Sequence, residues 1–260
     1  MEPPVRSASG HRPDTPLGLP PGIEACLFDV DGVLTKTATV HAAAWKEMFD
    51  AYLTARAERD GGTSQPFSDD DYNRYVDGRL RQDGVRAFLE SRGIELEEGA
   101  PDDPPEAETV FGLGTRKNDL VLAIIERDGV ERYEGSARYV EAVRDAGLAR
   151  AVVSASRNCE AVLASAGIDH LFDVRIDGVV ADDRGLRGKP APDSFLAAAE
   201  ALGVDPARAA VFEDALAGVE AGRAGAFRWV VGVDRVGQAA ELARQGADDV
   251  VADLDELLGA

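Results

Sequence analysis

The stretch Cys26-Leu27-Phe28-Asp29-Val30-Asp31-Gly32-Val33 decides how this chain is read. Its apolar start is that of a strand buried in a parallel sheet, and carboxylates at the C-terminal end of such a strand fall on the rim where open α/β sheets bind ligands. Gly32 lets the backbone turn sharply there, which poises Asp29 and Asp31 for metal-assisted chemistry. A strand simply leaving the core into a polar loop accounts for one Asp more easily than for two Asp and a Gly. A calcium-binding EF-hand loop is excluded, because its fifth position needs an oxygen ligand and its sixth a Gly, and these are Val33 and Leu34 here.

Along the rest of the chain, the four segments Glu24 to Phe28, Ala149 to Val153, Ala209 to Phe212 and Trp229 to Val233 read as β-rich, and helical patterns follow the last three. Strands alternating with helices predict an α/β fold, a doubly wound parallel (Rossmann-like) sheet covered on both faces. Ser194 to Leu202 reads as a helix introduced by Pro192-Asp193 and stopped by Gly203, with cap chemistry at both ends. Between about His41 and Gly129 the β pattern gives way to helical stretches at Ala42 to Arg56, Gly84 to Ser91 and Asp119 to Arg127. This predicts an inserted helical cap domain over 39–130 and an α/β core formed by 23–38 and 131–260. Polar loops Arg59 to Asp71 and Glu97 to Glu108 interrupt the insertion, the second rich in acid and proline and expected to be mobile.

The 260 residues are 45% hydrophobic and 29% charged, enough to bury a sizeable core. A net charge of -20 opposes non-specific binding to nucleic acid or anionic lipid, so an anionic substrate needs a local patch of Lys and Arg. Six of the thirteen prolines lie in residues 1–22, which hold no apolar signal region and are expected to be a disordered extension. Two cysteines, Cys26 and Cys159, give neither a disulfide framework nor zinc spacing. A cytoplasmic monomer acting on a small molecule, with no nucleic-acid or membrane partner, is the expectation.

Three later segments end strands in the manner of the first. Val152-Val153-Ser154-Ala155-Ser156 puts a hydroxyl after a strand, where Ser154 and the following amides suit a phosphate, or where the Ser is an ordinary helix cap. Gly188-Lys189-Pro190-Ala191-Pro192-Asp193 sets one Lys in a stiff turn, with a solvated Lys as the plainer reading, and Val211-Phe212-Glu213-Asp214-Ala215 ends a strand in two acids. In a parallel sheet, one Lys and four acids at strand ends converge on one rim. Gly112-Leu113-Gly114 lacks the third Gly of a dinucleotide site, and Gly185 to Lys189 lacks phosphate-loop spacing.

This ordered set, from about residue 23 to the end of the chain, resembles the haloacid dehalogenase superfamily of phosphoryl-transfer enzymes. The resemblance implies that Asp29 is a nucleophile forming an aspartyl-phosphate and Asp31 a general acid/base. It also implies that Ser154 and Lys189 bind the transferring phosphate, and that Asp29, Glu213, Asp214 and the backbone carbonyl of Asp31 hold Mg²⁺. Electrostatics agrees: two like charges 4 Å apart repel by about 4 kcal/mol at an effective dielectric of 20, so such a cluster needs cations beside it.

Within the insertion, Val40-His41-Ala42-Ala43-Ala44-Trp45-Lys46, Val76-Asp77-Gly78-Arg79-Leu80-Arg81-Gln82-Asp83 and Arg116-Lys117-Asn118-Asp119, together with Ser154-Ala155-Ser156-Arg157-Asn158 in the core, resemble the β-phosphoglucomutase family. By that resemblance Arg81, Ser156, Arg157 and Asn158 grip the phosphate that is not transferred, and His41 with Lys117 sits over the sugar. Trp45, Gly78, Asn118 and Ala155 join the implied substrate set by their places in the same motifs. The plainer readings make His41 a helix-face histidine, Trp45 core, and Arg79, Lys46 and Arg116 solvated. The implied activity is interconversion of β-glucose 1-phosphate and glucose 6-phosphate through a bisphosphate. The alternatives are a phosphatase of a small phosphomonoester and, in a different class, a non-catalytic phosphosugar-binding regulator.

Overall fold

The computed structural model describes residues 15–259. Six strands, β1 (Ala25–Phe28), β2 (Ala149–Val153), β3 (Val174–Ile176), β4 (Ala209–Glu213), β5 (Trp229–Val233) and β6 (Asp249–Val251), form one sheet in the order β3-β2-β1-β4-β5-β6. Every pairing is parallel. The helices, in chain order, are α1 (Thr37–Asp60), α2 (Asp69–Asp71), α3 (Arg81–Ser91), α4 (Val110–Asp128), α5 (Glu134–Asp145), α6 (Cys159–Ser165), α7 (Gly178–Arg184), α8 (Asp193–Leu202), α9 (Leu216–Ala224) and α10 (Ala239–Gln245).

The chain divides into two compact units, one running up to Lys36 and resuming at Val130, the other Thr37–Gly129. The first is the doubly wound parallel sheet expected from the alternation of strands and helices. Its strand order reverses between β1 and β4, whose residues are buried throughout, and such a switch point opens a crevice beyond the strand ends. Small residues make the close packing possible: Ala197, Ala198 and Ala199 of α8 and Ala221 of α9 join Leu27, Val153, Val211 and Val230 in the core.

The sheet has six strands where the sequence suggested four. The two missed strands, β3 and β6, are three-residue edge strands containing Arg175 and Asp249, too short and too polar to show an apolar run. Of the expected disordered extension, residues 1–14 lie outside the described residues, but 15–22 pack onto the α/β unit. Leu19 is buried, the Tyr139 hydroxyl donates to the Leu17 carbonyl at 2.9 Å, and the Gly259 amide donates to Pro16. At α8, Gly203 is left-handed at the C-terminus as expected (φ 69°), but no side chain caps the N-terminus. The Asp193 carboxylate turns instead to the Arg187 guanidinium and backbone amide.

The second unit is helical. Its core gathers Trp45, Phe49, Phe67, Val85, Phe88 and Leu113, with the Phe49 and Phe88 rings 4.2 Å apart. Gly84 lets α3 lie against the Trp45 ring, which a Cβ there would meet at 3.3 Å. The loop expected to be mobile is tied down at several points: Arg86 holds Glu98, Asp103 accepts from Thr109, Arg116 donates to the Pro105 carbonyl, and Arg59 pairs with Glu108. Arg116 and Lys46 are therefore bonded rather than merely solvated, Lys46 reaching Asp50 and the Phe67 carbonyl.

Candidate active site

β1 ends at Phe28, and the chain then delivers Asp29, whose amide donates to the Phe212 carbonyl of β4 at 3.0 Å. The next turn is tight: the amides of Leu34 and Thr35 return to the Val30 carbonyl, and the Gly32 amide donates to Thr35. Gly32 has φ +88°, and a Cβ on it would overlap an Asp214 carboxylate oxygen at 1.7 Å. Glycine is thus required twice, for the backbone conformation and for the approach of the acid.

Lys189 reaches into this cluster from the turn before α8. Only 4% of it is exposed, its Nζ lies 2.5 Å from Asp29 Oδ1 and in contact with Glu213 Oε1, and the Phe195 ring lies 5.0 Å from it. A solvated Lys189 is ruled out by that burial. Glu213, the last residue of β4, is fully buried and also accepts from the Ala215 amide at 3.0 Å, which fixes both of its oxygens. Gly218 accommodates it, since a Cβ there would meet the Glu213 carboxylate at 1.9 Å.

Burial pushes the Asp29 carboxyl well above the usual carboxylate range; Lys189 opposes the shift, and Glu213 and Asp31 add to it. Burial alone would lower the Lys189 pKa, but the carboxylates of Asp29 and Glu213 outweigh it and hold the ammonium charged. Three buried acids around one Lys leave excess negative charge that a further cation would balance. Asp29, Glu213 and Asp214 each place a carboxylate oxygen within 4.8 Å of the others. An all-oxygen donor set of this kind suits a hard divalent cation.

Ser154 follows β2 and is buried, its Oγ accepting from the Ser156 amide at 3.0 Å, while Ser156 Oγ accepts from Asn158. Asn158, not Ser154, precedes the first residue of α6, so Ser154 is not that helix's cap. Arg157, expected to grip a phosphate, instead forms an ion pair with Asp182 on α7, and Gly178 is small enough to admit it.

In the helical unit, the Lys117 ammonium lies 2.7 Å from His41 Nδ1 and 4.9 Å from the Trp45 ring centre. An ammonium only donates, so Nδ1 accepts. Trp45, 3% exposed and stacked on Phe49, is a core residue that supports Lys117 with its ring face. Arg81 donates to Asn118 Oδ1 at 2.8 Å, and Gly78, at φ +68°, turns the chain before it. Arg79 is half-buried rather than solvated.

The set of strand-end acids around a buried Lys is matched by a family model. The model of the haloacid dehalogenase-like hydrolases covers residues 23–225. The chain belongs to this family. Among haloacid dehalogenase-like proteins it is 57% identical to the β-phosphoglucomutases of Mycobacterium bovis and Mycobacterium tuberculosis, over 96% of this chain and 100% of each of those proteins. Its fold superposes on the crystal structure of β-phosphoglucomutase from Clostridium difficile with a TM-score of 0.69 and 26% identity, over 90% of this chain and 93% of that one.

Sequence reading did not single out Arg235 and Gln238, which follow β5 on the same side of the sheet as Asp29 and Glu213. Arg235 donates to the Gly32 carbonyl at 2.9 Å and Gln238 to the Asp214 carbonyl at 3.0 Å. The available signal was positional: β5 was read correctly, and polar residues after a parallel strand stand on the ligand-binding rim.

Proposed function

We propose that the protein is a β-phosphoglucomutase, interconverting β-glucose 1-phosphate and glucose 6-phosphate through β-glucose 1,6-bisphosphate. The observation that carries the reading is Lys189, buried and charged between Asp29 and Glu213, with Asp29 following directly on β1. Such a cluster presents a carboxylate to phosphorus while holding a cation against the phosphate oxygens. The choice of sugar is supported by the near full-length similarity to the mycobacterial enzymes.

In this reading an Asp29 oxygen bonds to phosphorus as the bond from phosphorus to the donor oxygen breaks, and Asp31 gives that leaving oxygen its proton. In the return step Asp31 takes the proton of the attacking sugar hydroxyl and phosphorus leaves Asp29. Covalent relay divides one displacement into two easier ones. Lys189 and the Ser154 hydroxyl hold the transferring phosphate. Asp29, Glu213, Asp214 and the Asp31 carbonyl would hold Mg²⁺, which supplies neutralisation of charge on phosphate oxygens. A mutase must also hold the second phosphate, a task assigned to Arg81 with Asn118, Ser156 and Asn158, while His41 and Lys117 address the sugar. Arg157 joins that set only by releasing Asp182. The setting proposed is a cytoplasmic monomer; no helix among the described residues is long and apolar enough to cross a membrane.

Phosphorus NMR with β-glucose 1-phosphate, Mg²⁺ and a trace of glucose 1,6-bisphosphate tests this. Conversion to glucose 6-phosphate with little free phosphate is expected. Release of free phosphate as the main product would make the protein a phosphatase.

A further inference from the structure

The turn after β5 is built as a rigid unit and bonded to both acidic segments of the site. Asp234 Oδ1 accepts from the amides of Val236, Gly237 and Gln238 at 3.3, 2.7 and 2.8 Å, so one carboxylate fixes the course of the whole turn. From it the Arg235 guanidinium, 13% exposed, spreads over four partners besides a counter-ion. Nε donates to the Gly32 carbonyl at 2.9 Å, Nη2 approaches the Val33 carbonyl at 3.4 Å and Ser136 Oγ at 3.3 Å, and Nη1 donates to the Ala252 carbonyl at 2.5 Å with Asp253 at 3.3 Å. Its Cζ lies 3.6 Å from the Tyr133 ring centre. Three residues further on, Gln238 Nε2 donates to the Asp214 carbonyl.

These bonds converge on one spacing. Gly32 and Asp214 are packed so closely that a single added carbon would collide with the Asp214 carboxylate. Arg235 holds the carbonyl of the first and Gln238 that of the second. Gly32 follows Asp31 directly in the chain, so the bond to its carbonyl holds the turn that carries Asp31. Charge on Arg235 is directed mainly at main-chain carbonyls, the geometry of a clamp on backbone and not of a paired surface ion.

We propose that Arg235 and Gln238 are positioning residues, which set the distance between the Asp31–Val33 turn and Asp214 and so align the general acid/base with the metal-binding carboxylates. This rests on the mutase reading for what the alignment serves. Displacement of a catalytic group by about 1 Å costs on the order of a hundredfold in rate.

The test compares Arg235→Met, Arg235→Lys and Gln238→Leu with the unaltered protein. Methionine retains apolar volume on Tyr133 and removes every donor; lysine restores the charge and one donating nitrogen in place of three. Arg235→Met is expected to lower kcat about tenfold to a hundredfold with KM changed less than about threefold, and Arg235→Lys to recover part of the loss. Gln238→Leu is expected to weaken Mg²⁺ binding several-fold, measured by calorimetry without substrate. Circular dichroism and the melting temperature of each variant separate misalignment from unfolding. Should Arg235→Met fail to fold, Arg235→Lys and Gln238→Leu carry the same comparison. Folded variants with unaltered kcat and unaltered Mg²⁺ affinity would overturn the proposal. An unaltered protein that binds Mg²⁺ but converts no phosphosugar would sink the mutase reading alone, and the calorimetric comparison would still judge the clamp.

Discussion

Lys189 sits buried between Asp29 and Glu213 in the α/β unit. It pairs with both of these buried carboxylates, and removing one partner of such a buried group leaves the others uncompensated. Lys189→Met should destabilise the protein by about 3 to 5 kcal/mol, measured by urea denaturation, and abolish turnover. Stability within about 1 kcal/mol of the parent, well below that cost, would mean that Asp29 and Glu213 are relieved in another way. The pair Asp29 and Asp31 was legible in the sequence because a strand that merely leaves the core has no need of two acids and a Gly in succession. Lys189 was legible only in company: a lone Lys in a proline-bounded turn says nothing of its burial, which depends on α8 bringing Phe195 beneath it. The Arg157–Asp182 ion pair was not legible for the same reason, since Asp182 lies on an element that no apolar pattern announced.

At the scale of elements, the short α2 of the helical unit is held by reciprocal bonds. Ser68 Oγ accepts from the Asp71 amide and the Asp71 carboxylate accepts from the Ser68 amide, while Arg92 pairs with Asp71 at 2.7 Å. Burial pushes the Asp71 pKa up, but the Ser68 bonds and Arg92 outweigh it and hold the carboxyl below its ordinary value. A carboxyl depressed in the folded state stabilises fully above its unfolded pKa, about 3.9, and that contribution is lost as pH falls through the folded value. Asp71→Asn should therefore cost about 1 kcal/mol near neutrality, and the gap between variant and parent should close in acid. Denaturation at a series of pH values checks this; a gap that is constant with pH would contradict it. Strands β2 and β5 were legible to the residue, because interior strands of a parallel sheet are predominantly apolar, Arg150 being the one charged residue in these two. The edge strands β3 and β6 were not, as one side of each faces no neighbouring strand and polar residues are tolerated.

On the scale of the whole molecule, the chain has a net charge of -20, and among the described residues its buried lysines are Lys189 in the α/β unit and Lys117 in the helical unit. In the proposed mechanism the α/β unit carries the chemistry of phosphorus and the helical unit chooses the acceptor. That division of labour has a direct consequence for the fate of the phosphoryl group. If it passes from sugar to Asp29 and back to sugar, the phosphate oxygens never exchange with solvent; if water takes it from Asp29, one solvent oxygen enters each phosphate released. The measurement that decides is turnover of β-glucose 1-phosphate in oxygen-18-enriched water, with product phosphates analysed by mass spectrometry. A mutase yields glucose 6-phosphate whose phosphate oxygens carry no solvent label, and almost no labelled inorganic phosphate, which is the expected result, whereas labelled inorganic phosphate as the main product would contradict it.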